Sequence, residues 1–152
     1  LQLAGSLSHL DKPIHYRIVG PIEDENEVKK LKVPIEGVTV EFIGPTPPDE
    51  VHQHYAWAHL VLVPSFNENF GHSVAEAVSK ARPVIVSDQT AWSSMTHGES
   101  VHCLPLELTS WLEGAQTLLE MNQEHLIQSS AATHQECLLD HCHLEAQKGL
   151  FS

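Results

Sequence analysis

The feature that most constrains the fold is a series of short apolar runs rich in β-branched residues. The runs are Ile14–Val19, Val38–Ile43, Leu60–Val63 and Val84–Val86, and a weaker one follows at Val101–Leu104. Each is bounded by Gly, Pro or charged residues, a pattern typical of parallel strands buried on both faces. Stretches with helical character separate the runs, and strands that alternate with helices form right-handed βαβ crossovers. The sequence therefore predicts an α/β fold with a parallel sheet flanked by helices.

The order of the elements predicts that this sheet is incomplete. Helices are expected over Asp24–Leu31, Asp49–Ala58, Ser73–Lys80, Leu108–Met121 and Gln123–Gln147. The first element is also helical in pattern, because Leu1, Ala4, Leu7 and Leu10 can share one face. A doubly wound domain usually opens with a strand, and this chain begins with Leu rather than Met. We therefore expect one truncated domain over residues 1–152 that lacks its first strand.

Charge and cysteine content exclude several classes of protein. Eight Lys and Arg stand against 20 Asp and Glu, a formal net charge of −12. A chain that binds nucleic acid or an anionic membrane surface needs a basic footprint, so neither partner is expected. Three cysteines are too few for a disulfide framework and favour a reducing, cytoplasmic location. The apolar runs are also too short for a transmembrane segment.

Ligands of open parallel sheets bind beyond the carboxyl ends of the strands, so the loops after the strands are the informative ones. No GxGxxG and no Gly-Lys-Ser/Thr occurs in the chain, which argues against a dinucleotide oxidoreductase and a P-loop phosphotransferase. The loop after Leu60–Val63 is the richest in polar groups. Within it, Gly71 permits close approach of the backbone, and the helix that follows offers its N-terminus to an anion.

Two carboxylates flank this predicted anion site and fit a ligand that carries both hydroxyls and phosphates. Glu68 lies in the loop and Glu76 lies one turn into the helix, where its side chain leans back towards the N-terminus. Both can accept hydrogen bonds from sugar hydroxyls. A structural interpretation stays open, because Ser73 to Glu76 also has the spacing of a capping box, and Glu68 fits an ordinary solvated loop.

The same residues resemble a known family. Glu68 and Glu76, with seven residues between them and followed by Ala81-Arg82-Pro83-Val84-Ile85-Val86-Ser87-Asp88, look like the E-x7-E signature of group 1 retaining glycosyltransferases. These enzymes have the GT-B architecture of two Rossmann-like domains. Residues 14 to about 121 follow the family's C-terminal domain in order, and the run from Glu68 to Trp92 is the closest part. The resemblance implies a Rossmann-like, bacterial-type donor-binding domain of a hexosyltransferase.

By that resemblance, the site residues receive individual roles. Glu68 is the catalytic residue that contacts the donor sugar, and Glu76 holds the ribose hydroxyls. The remaining donor-binding residues are implied to meet the sugar and diphosphate or to lie near the base: Phe70, Gly71, His72, Ser73, Pro45 and Thr46. The resemblance implies a nucleotide-sugar donor, no cofactor and no metal, with departure of the nucleoside diphosphate stabilised by the helix N-terminus. The acceptor, whose identity the sequence does not give, is expected on a missing N-terminal domain.

Two departures from the family pattern lead to an alternative function. The family's Arg and Lys that clamp the diphosphate lie near the absent first strand, and Lys80 and Arg82 lie at the wrong end of the helix to replace them. Ala81 stands where the family usually has Gly, at a cost of about 1–2 kcal/mol if the backbone is left-handed. We therefore expect the isolated chain to have no turnover. The alternative is a non-catalytic module that binds a nucleotide-sugar or a sugar phosphate.

Twelve histidines are many for this length, and they form two clusters. His52 and His54 lie on a predicted helix. The second cluster lies in the predicted C-terminal helix and comprises His134, Cys137, His141, Cys142 and His143. Its spacing could form a soft-metal site, but a solvated helix face is the alternative that the spacing favours.

Overall fold

The computed structural model describes residues 6–9, 12–21, 24–31, 34–66, 72–94 and 100–135. After a 3-10 turn at Leu7–His9, strands and helices alternate through the described part of the chain. The strands are β1 (Ile14–Val19), β2 (Val38–Gly44), β3 (Val61–Val63), β4 (Val84–Ser87) and β5 (Val101–Leu104). The helices are α1 (Glu25–Leu31), α2 (Pro48–Trp57), α3 (His72–Ser79), α4 (Leu108–Glu120) and α5 (123–135).

These elements confirm the predicted α/β fold of parallel strands flanked by helices. All five predicted strands are present, and their ends differ from the predicted ends by no more than one residue. The predicted helices begin and end within one residue of α1, α2, α3 and α4. The predicted C-terminal helix is present over residues 123–135, and its remainder lies outside the described residues. Of the predicted first helix, residues 7–9 form a 3-10 turn.

The strands form two parallel ladders rather than one continuous sheet. β1 pairs with β2, from Ile14 opposite Val38 to Val19 opposite Gly44, with a register shift after Ile18. β3, β4 and β5 form the second ladder in that order. Among the described residues, no strand pairs with β1 and β3 on the edges where the two ladders face each other across a cavity.

Two hydrophobic cores lie on opposite faces of the β3-β4-β5 ladder. Successive strand residues point to opposite faces, so Val84 and Val86 join one core and Ile85 joins the other. Helix α3 contributes Val74, Ala77 and Val78 to the first core. Helix α4 contributes Trp111, Ala115 and Leu118 to the second. The two faces are therefore covered by different helices, as in a three-layer α/β domain.

The prediction that every strand is buried on both faces is right for β4 and wrong for β1. All four residues of β4 are buried. In β1, however, His15 and Val19 are exposed, because this strand belongs to a two-stranded ladder and borders the cavity. The apolar composition of β1 therefore predicted more burial than this strand has at the edge of a ladder.

Helix α3 ends in a Schellman motif that requires a left-handed residue. The amide of Ala81 donates to the carbonyl of Val78 at 2.9 Å, and that of Arg82 donates to Ala77 at 3.1 Å. Ala81 has φ of 54°, the conformation that the sequence anticipated for the position where the family usually has Gly. The turn directs the chain into β4 and keeps α3 packed on the sheet.

Candidate functional site

A large cavity opens at the carboxyl ends of β2 and β3. It has a volume of about 1670 Å³ and extends along the space between the two ladders. Its wall at the carboxyl ends includes Pro45 and Thr46 after β2, Ser65 after β3, and Ser73 and Glu76 on α3. Four of the residues assigned to donor binding by sequence, Pro45, Thr46, Ser73 and Glu76, thus line one space although two come from the loop after β2 and two from helix α3.

The loop after β2 is shaped by a glycine and a threonine. Gly44 ends β2 with φ of 81°, a backbone conformation that residues other than Gly adopt at a steric cost. The hydroxyl of Thr46 donates to the carbonyl of Gly44 at 3.3 Å, across the turn. Helix α2 then begins at Pro48, whose fixed φ suits the first turn of a helix. These local contacts hold Pro45 and Thr46 on the cavity wall.

Helix α3 begins at His72, one residue before the N-cap that a capping box would need. Ser73 is therefore helical, and among the described residues no hydrogen bond joins its side chain to the amide of Glu76. The side chain of Glu76 is exposed and lines the cavity, while its carbonyl accepts from the hydroxyl of Ser79 at 2.6 Å. The two residues thus share the wall of the cavity instead of closing the end of the helix.

Of the four other predicted site residues, only His72 is among the residues that the structure describes. His72 is exposed and is the first residue of α3, beside Ser73. Glu68, Phe70 and Gly71 lie outside the described residues, so their roles stay predictions from the sequence. The N-terminal amides of α3 lie at the carboxyl end of β3, where a helix offers partial positive charge to an anion.

A cluster that the sequence did not indicate borders the same cavity. Arg17 of β1 and His54 of α2 both line it, with Arg17 Nη1 and His54 Nδ1 3.4 Å apart. The Arg17 guanidinium carbon lies 3.9 Å from the centroid of the Trp57 ring, a cation–π distance. Glu41 of β2 binds the same guanidinium. No local pattern reveals this cluster, because the four residues come from three elements.

The distribution of positive charge along α3 agrees with the sequence prediction. Lys80 and Arg82 follow the C-terminal end of α3, the end opposite to His72 and Ser73. The guanidinium of Arg82 donates from Nη2 to the carbonyl of Ala56 at 2.8 Å, so it joins α3 to the end of α2. A phosphate at the N-terminus of α3 would therefore depend on backbone amides rather than on these two cations.

The carboxyl end of β4 is occupied by its own turn. Thr90 Oγ1 donates to the carbonyl of Ser87 at 2.9 Å, and the amide of Gln89 donates to Ser87 Oγ at 3.1 Å. On the neighbouring strand, burial and, to a lesser extent, the charge of Asp88 raise the pKa of the Cys103 thiol. The Cys103 thiol donates to the carbonyl of Trp92, with Sγ 3.4 Å from that oxygen. These contacts are internal to the ends of β4 and β5, and the described residues of this loop are not among those that line the cavity.

Two further expectations concern metals and membranes. Within the described ranges, no group of three or more His, Cys, Asp and Glu side chains could hold a metal ion. Of the C-terminal His and Cys cluster, His134 is in α5, and the other members lie outside those ranges. The helices of the described part are all too short or too polar to cross a bilayer.

Comparison with known protein sequences connects the chain with one family. The family model described as "Glycosyl transferases group 1" matches residues 3–121. The D-inositol 3-phosphate glycosyltransferase of Corynebacterium glutamicum is 30% identical over 94 residues, which are 56% of this chain and 22% of that enzyme. The enzyme of the same name from Nocardia farcinica is 43% identical over 49 residues, 32% of this chain and 11% of that enzyme. The chain thus spans less than a quarter of these relatives' length.

Solved structures share the fold of the chain. HepE of Anabaena, in a complex with UDP and glucose, superposes with a TM-score of 0.68 and 20% identity, covering 88% of this chain and 38% of HepE. Sucrose-phosphate synthase of Thermosynechococcus elongatus superposes with a TM-score of 0.67 and 18% identity, covering 99% of this chain and 42% of the synthase. At these identities, the likeness concerns the fold alone.

Proposed function

The chain belongs to the group 1 glycosyl transferases, and on that premise we propose that it is the donor-binding half of an enzyme that transfers a sugar from a nucleotide-sugar with retention. The observation that carries this proposal is the convergence of Thr46, Ser73 and Glu76 on one cavity at the carboxyl ends of β2 and β3. Ligands of parallel α/β sheets bind at this edge. The similar fold of HepE, whose structure contains UDP and glucose, adds support for a donor of this class.

In the proposed complex, each part of the donor meets a group of suitable chemistry. The Glu76 carboxylate accepts hydrogen bonds from the ribose hydroxyls, and the base lies near Pro45 and Thr46. The diphosphate lies at the N-terminus of α3, where amides and the helix dipole stabilise negative charge. The same amides stabilise the nucleoside diphosphate as it leaves. Glu68, Phe70, Gly71 and His72 are assigned to the sugar and its diphosphate by their place in the sequence motif.

The scarcity of cations on the described part of the cavity wall limits the catalysis that the donor-binding half can perform alone. Two Lys or Arg residues of the described part line the cavity: Lys12, which precedes β1 and so lies at the amino ends of the strands, and Arg17, whose guanidinium already binds Glu41. A diphosphate at α3 therefore gains its stabilisation mainly from the helix terminus. We propose that the isolated chain binds the donor without transferring its sugar and that the acceptor binds another part of the protein.

The alternative, a non-catalytic module, has the left-handed Ala81 in its favour, since this residue departs from the family's glycine. Isothermal titration of the chain with a panel of nucleoside diphosphates and nucleotide-sugars tests donor binding, and an assay of sugar release tests turnover. Binding by the chain, together with transfer by the natural full-length polypeptide, supports the donor half. Binding without transfer by that polypeptide supports the module. An absence of binding across the panel contradicts both.

A further inference from the structure

A second, smaller pocket lies on the face of the β1–β2 ladder that carries Arg17. It has a volume of about 270 Å³ and is lined by six residues, His15, Tyr16, Thr39, Val40, Glu41 and Trp57. His15, Tyr16 and Trp57 also line the large cavity, so the pocket lies on its rim. Thr39 lies five residues before Gly44, about 16 Å from the carboxyl end of β2 at a rise of about 3.3 Å per residue. The pocket is therefore separate from the proposed donor site.

The register of β1 with β2 brings the polar side chains of the pocket together. His15 lies opposite Thr39, and Arg17 lies opposite Glu41. Neighbouring strands are about 4.8 Å apart, and residues two apart on a strand point to the same face. His15, Thr39 and Glu41 are all exposed. Their side chains thus form one continuous polar surface along the pocket.

This polar surface has hydrogen-bonding capacity that the protein does not use. Arg17 Nε and Nη2 both bind Oε2 of Glu41. Within the described residues, no hydrogen bond reaches Oε1 of Glu41, and none involves the side chains of His15 and Thr39. A carboxylate oxygen accepts hydrogen bonds, whereas a hydroxyl and a neutral imidazole each donate and accept. The pocket therefore offers one acceptor and two groups of mixed character, a set that matches ligand hydroxyls.

The charge of the pocket disfavours an ionic ligand. The guanidinium of Arg17 lies 2.8 Å from the Glu41 carboxylate and neutralises it. The lining residues, all within the described part of the chain, include no Lys or Arg that could bind an anion. A cationic ligand would have to compete with Arg17 for Glu41. The pocket thus suits an uncharged ligand that carries several hydroxyls.

Trp57 adds an apolar surface to these polar groups. It is 43% exposed even though the Arg17 guanidinium carbon lies 3.9 Å from the centroid of its ring. An aromatic ring beside a few placed polar groups is the usual composition of a small-molecule site. Sites for drug-sized ligands have volumes of about 300–1,000 Å³, so a pocket of about 270 Å³ suits a ligand of a single ring. A pyranose combines one face of C–H groups with hydroxyls around its edge.

We propose that this pocket binds a neutral hexopyranose. The C–H face of the sugar packs on Trp57, and its hydroxyls form hydrogen bonds with Glu41 Oε1, Thr39 Oγ1 and the His15 ring. A ligand of about a dozen heavy atoms is expected to bind with a Kd of about 1 mM. This site is additional to the donor site, and the inference holds whichever nucleotide-sugar the enzyme uses.

A ¹⁵N-resolved NMR titration of the chain with the methyl pyranosides of glucose, mannose and galactose tests the proposal. At least one of them is expected to cause saturable shifts at the amides of His15, Thr39 and Glu41 and at the indole N–H of Trp57. Glucose 6-phosphate is expected to bind these residues at least threefold more weakly than methyl glucoside, because it brings an anion to a pocket without Lys or Arg. Equal or tighter binding of glucose 6-phosphate contradicts the assignment of a neutral ligand.

Matched variants connect the shifts with the pocket. Thr39→Val, which keeps the shape of an exposed side chain, should weaken sugar binding about fivefold. Trp57→Ala should weaken it at least about tenfold. Thr109→Val, at an exposed position of α4, is the control for Thr39→Val and should leave the affinity unchanged.

Three outcomes overturn the proposal. The first is the absence of saturable shifts at the pocket with all three sugars, and the second is an affinity that Thr39→Val leaves unchanged. The third is a set of shifts confined to Ser73 and Glu76, which would assign the sugar to the donor site and leave the proposed function intact. Because Thr39→Val does not touch the packing of Trp57 on Arg17, it decides the matter even if Trp57→Ala lowers stability.

Discussion

The guanidinium of Arg17 donates to a single oxygen of Glu41 from two nitrogens, with Nε 2.9 Å and Nη2 2.8 Å from Oε2. The two residues lie opposite each other in the β1–β2 ladder. Trp57 covers the guanidinium from α2, so one cation joins two strands and a helix. Arg17 is 21% exposed and Glu41 is 52% exposed, which limits the strength of the ion pair through solvent screening.

We predict that the contact with Trp57 stabilises the protein more than the ion pair does. Glu41→Gln should lower the free energy of unfolding by less than about 1 kcal/mol. Arg17→Ala should lower it by about 1–2 kcal/mol, because the side chain also loses its packing on Trp57. Urea unfolding of both variants and of the double variant measures the two contributions. Equal losses in the two single variants would contradict the prediction.

Ala81 gives a prediction of increased stability. Ala81→Gly should raise the free energy of unfolding by about 0.5–1 kcal/mol, since relief of the left-handed strain exceeds the added entropy of the unfolded chain. The corresponding rise in the melting temperature is about 1–4 °C. Ala75→Gly on the exposed face of α3 is the control and should lower stability by about 1 kcal/mol. A loss of stability in Ala81→Gly would show that the strain is absent.

The reactivity of Cys103 should depend on pH in the direction set by its raised pKa. Burial and Asp88 disfavour the thiolate, so alkylation by iodoacetamide should be slower than that of a solvated thiol at the same pH. Asp88→Asn should accelerate it, because this change removes the smaller of the two causes that raise the pKa. Both rates are measured in a Cys137→Ser, Cys142→Ser background. An unchanged rate in Asp88→Asn would show that burial alone controls this thiol.

The same raised pKa has a consequence for stability. A thiol that stays protonated in the folded state and ionises earlier in the unfolded state stabilises the fold fully below the ordinary thiol pKa. That contribution is lost as the pH rises through the raised folded-state pKa. Unfolding free energies measured across this alkaline range should therefore fall less in Cys103→Ala than in the parent chain. An identical fall of the unfolding free energy in both proteins would show that ionisation of Cys103 does not cause it.

Glu76 is the described residue on which donor affinity should depend most. Glu76→Ala should weaken binding of a nucleoside diphosphate about tenfold, because charged acceptors contribute more than neutral ones to hydrogen bonds. Glu113→Ala, on an exposed position of α4 away from the cavity, should leave affinity unchanged. Isothermal titration measures both. An unchanged affinity in Glu76→Ala would favour a structural role for this carboxylate.

The strands and helices could be predicted from the sequence because each depends on residues that are close together in the chain. The β-branched run of β4 and the spacing of Val74, Ala77 and Val78 on α3 fix a strand and a helix face without distant contacts. The left-handed conformation of Ala81 was raised only as a condition, through the resemblance to a family that usually has Gly at this position, and the structure shows it. The burial of β1 could not be predicted from the sequence, because it depends on which strand borders the cavity.

The site was only partly accessible for the same reason. The motif around Glu76 indicated one wall of the cavity, and the family resemblance implied a site role for Pro45 and Thr46, which line another. The contact of Arg17 with Glu41, His54 and Trp57 depends on the register of β1 with β2 and on the packing of α2. The periodicity of apolar residues in the sequence does not determine the register between two strands. Prediction therefore succeeded for strands and helices, which follow from their own residues, and it missed the Arg17 cluster, where three elements meet.

The central claim is that a nucleotide-sugar donor binds at the carboxyl ends of β2 and β3. The most direct measurement is a ¹⁵N-resolved NMR titration of the chain with UDP and other nucleoside diphosphates, which locates the ligand by the amides that it perturbs. The expected result is saturable shifts at Thr46, Ser73 and Glu76, with little change at Glu113. Shifts confined to other surfaces, or no saturable shift with any nucleoside diphosphate, would contradict the claim.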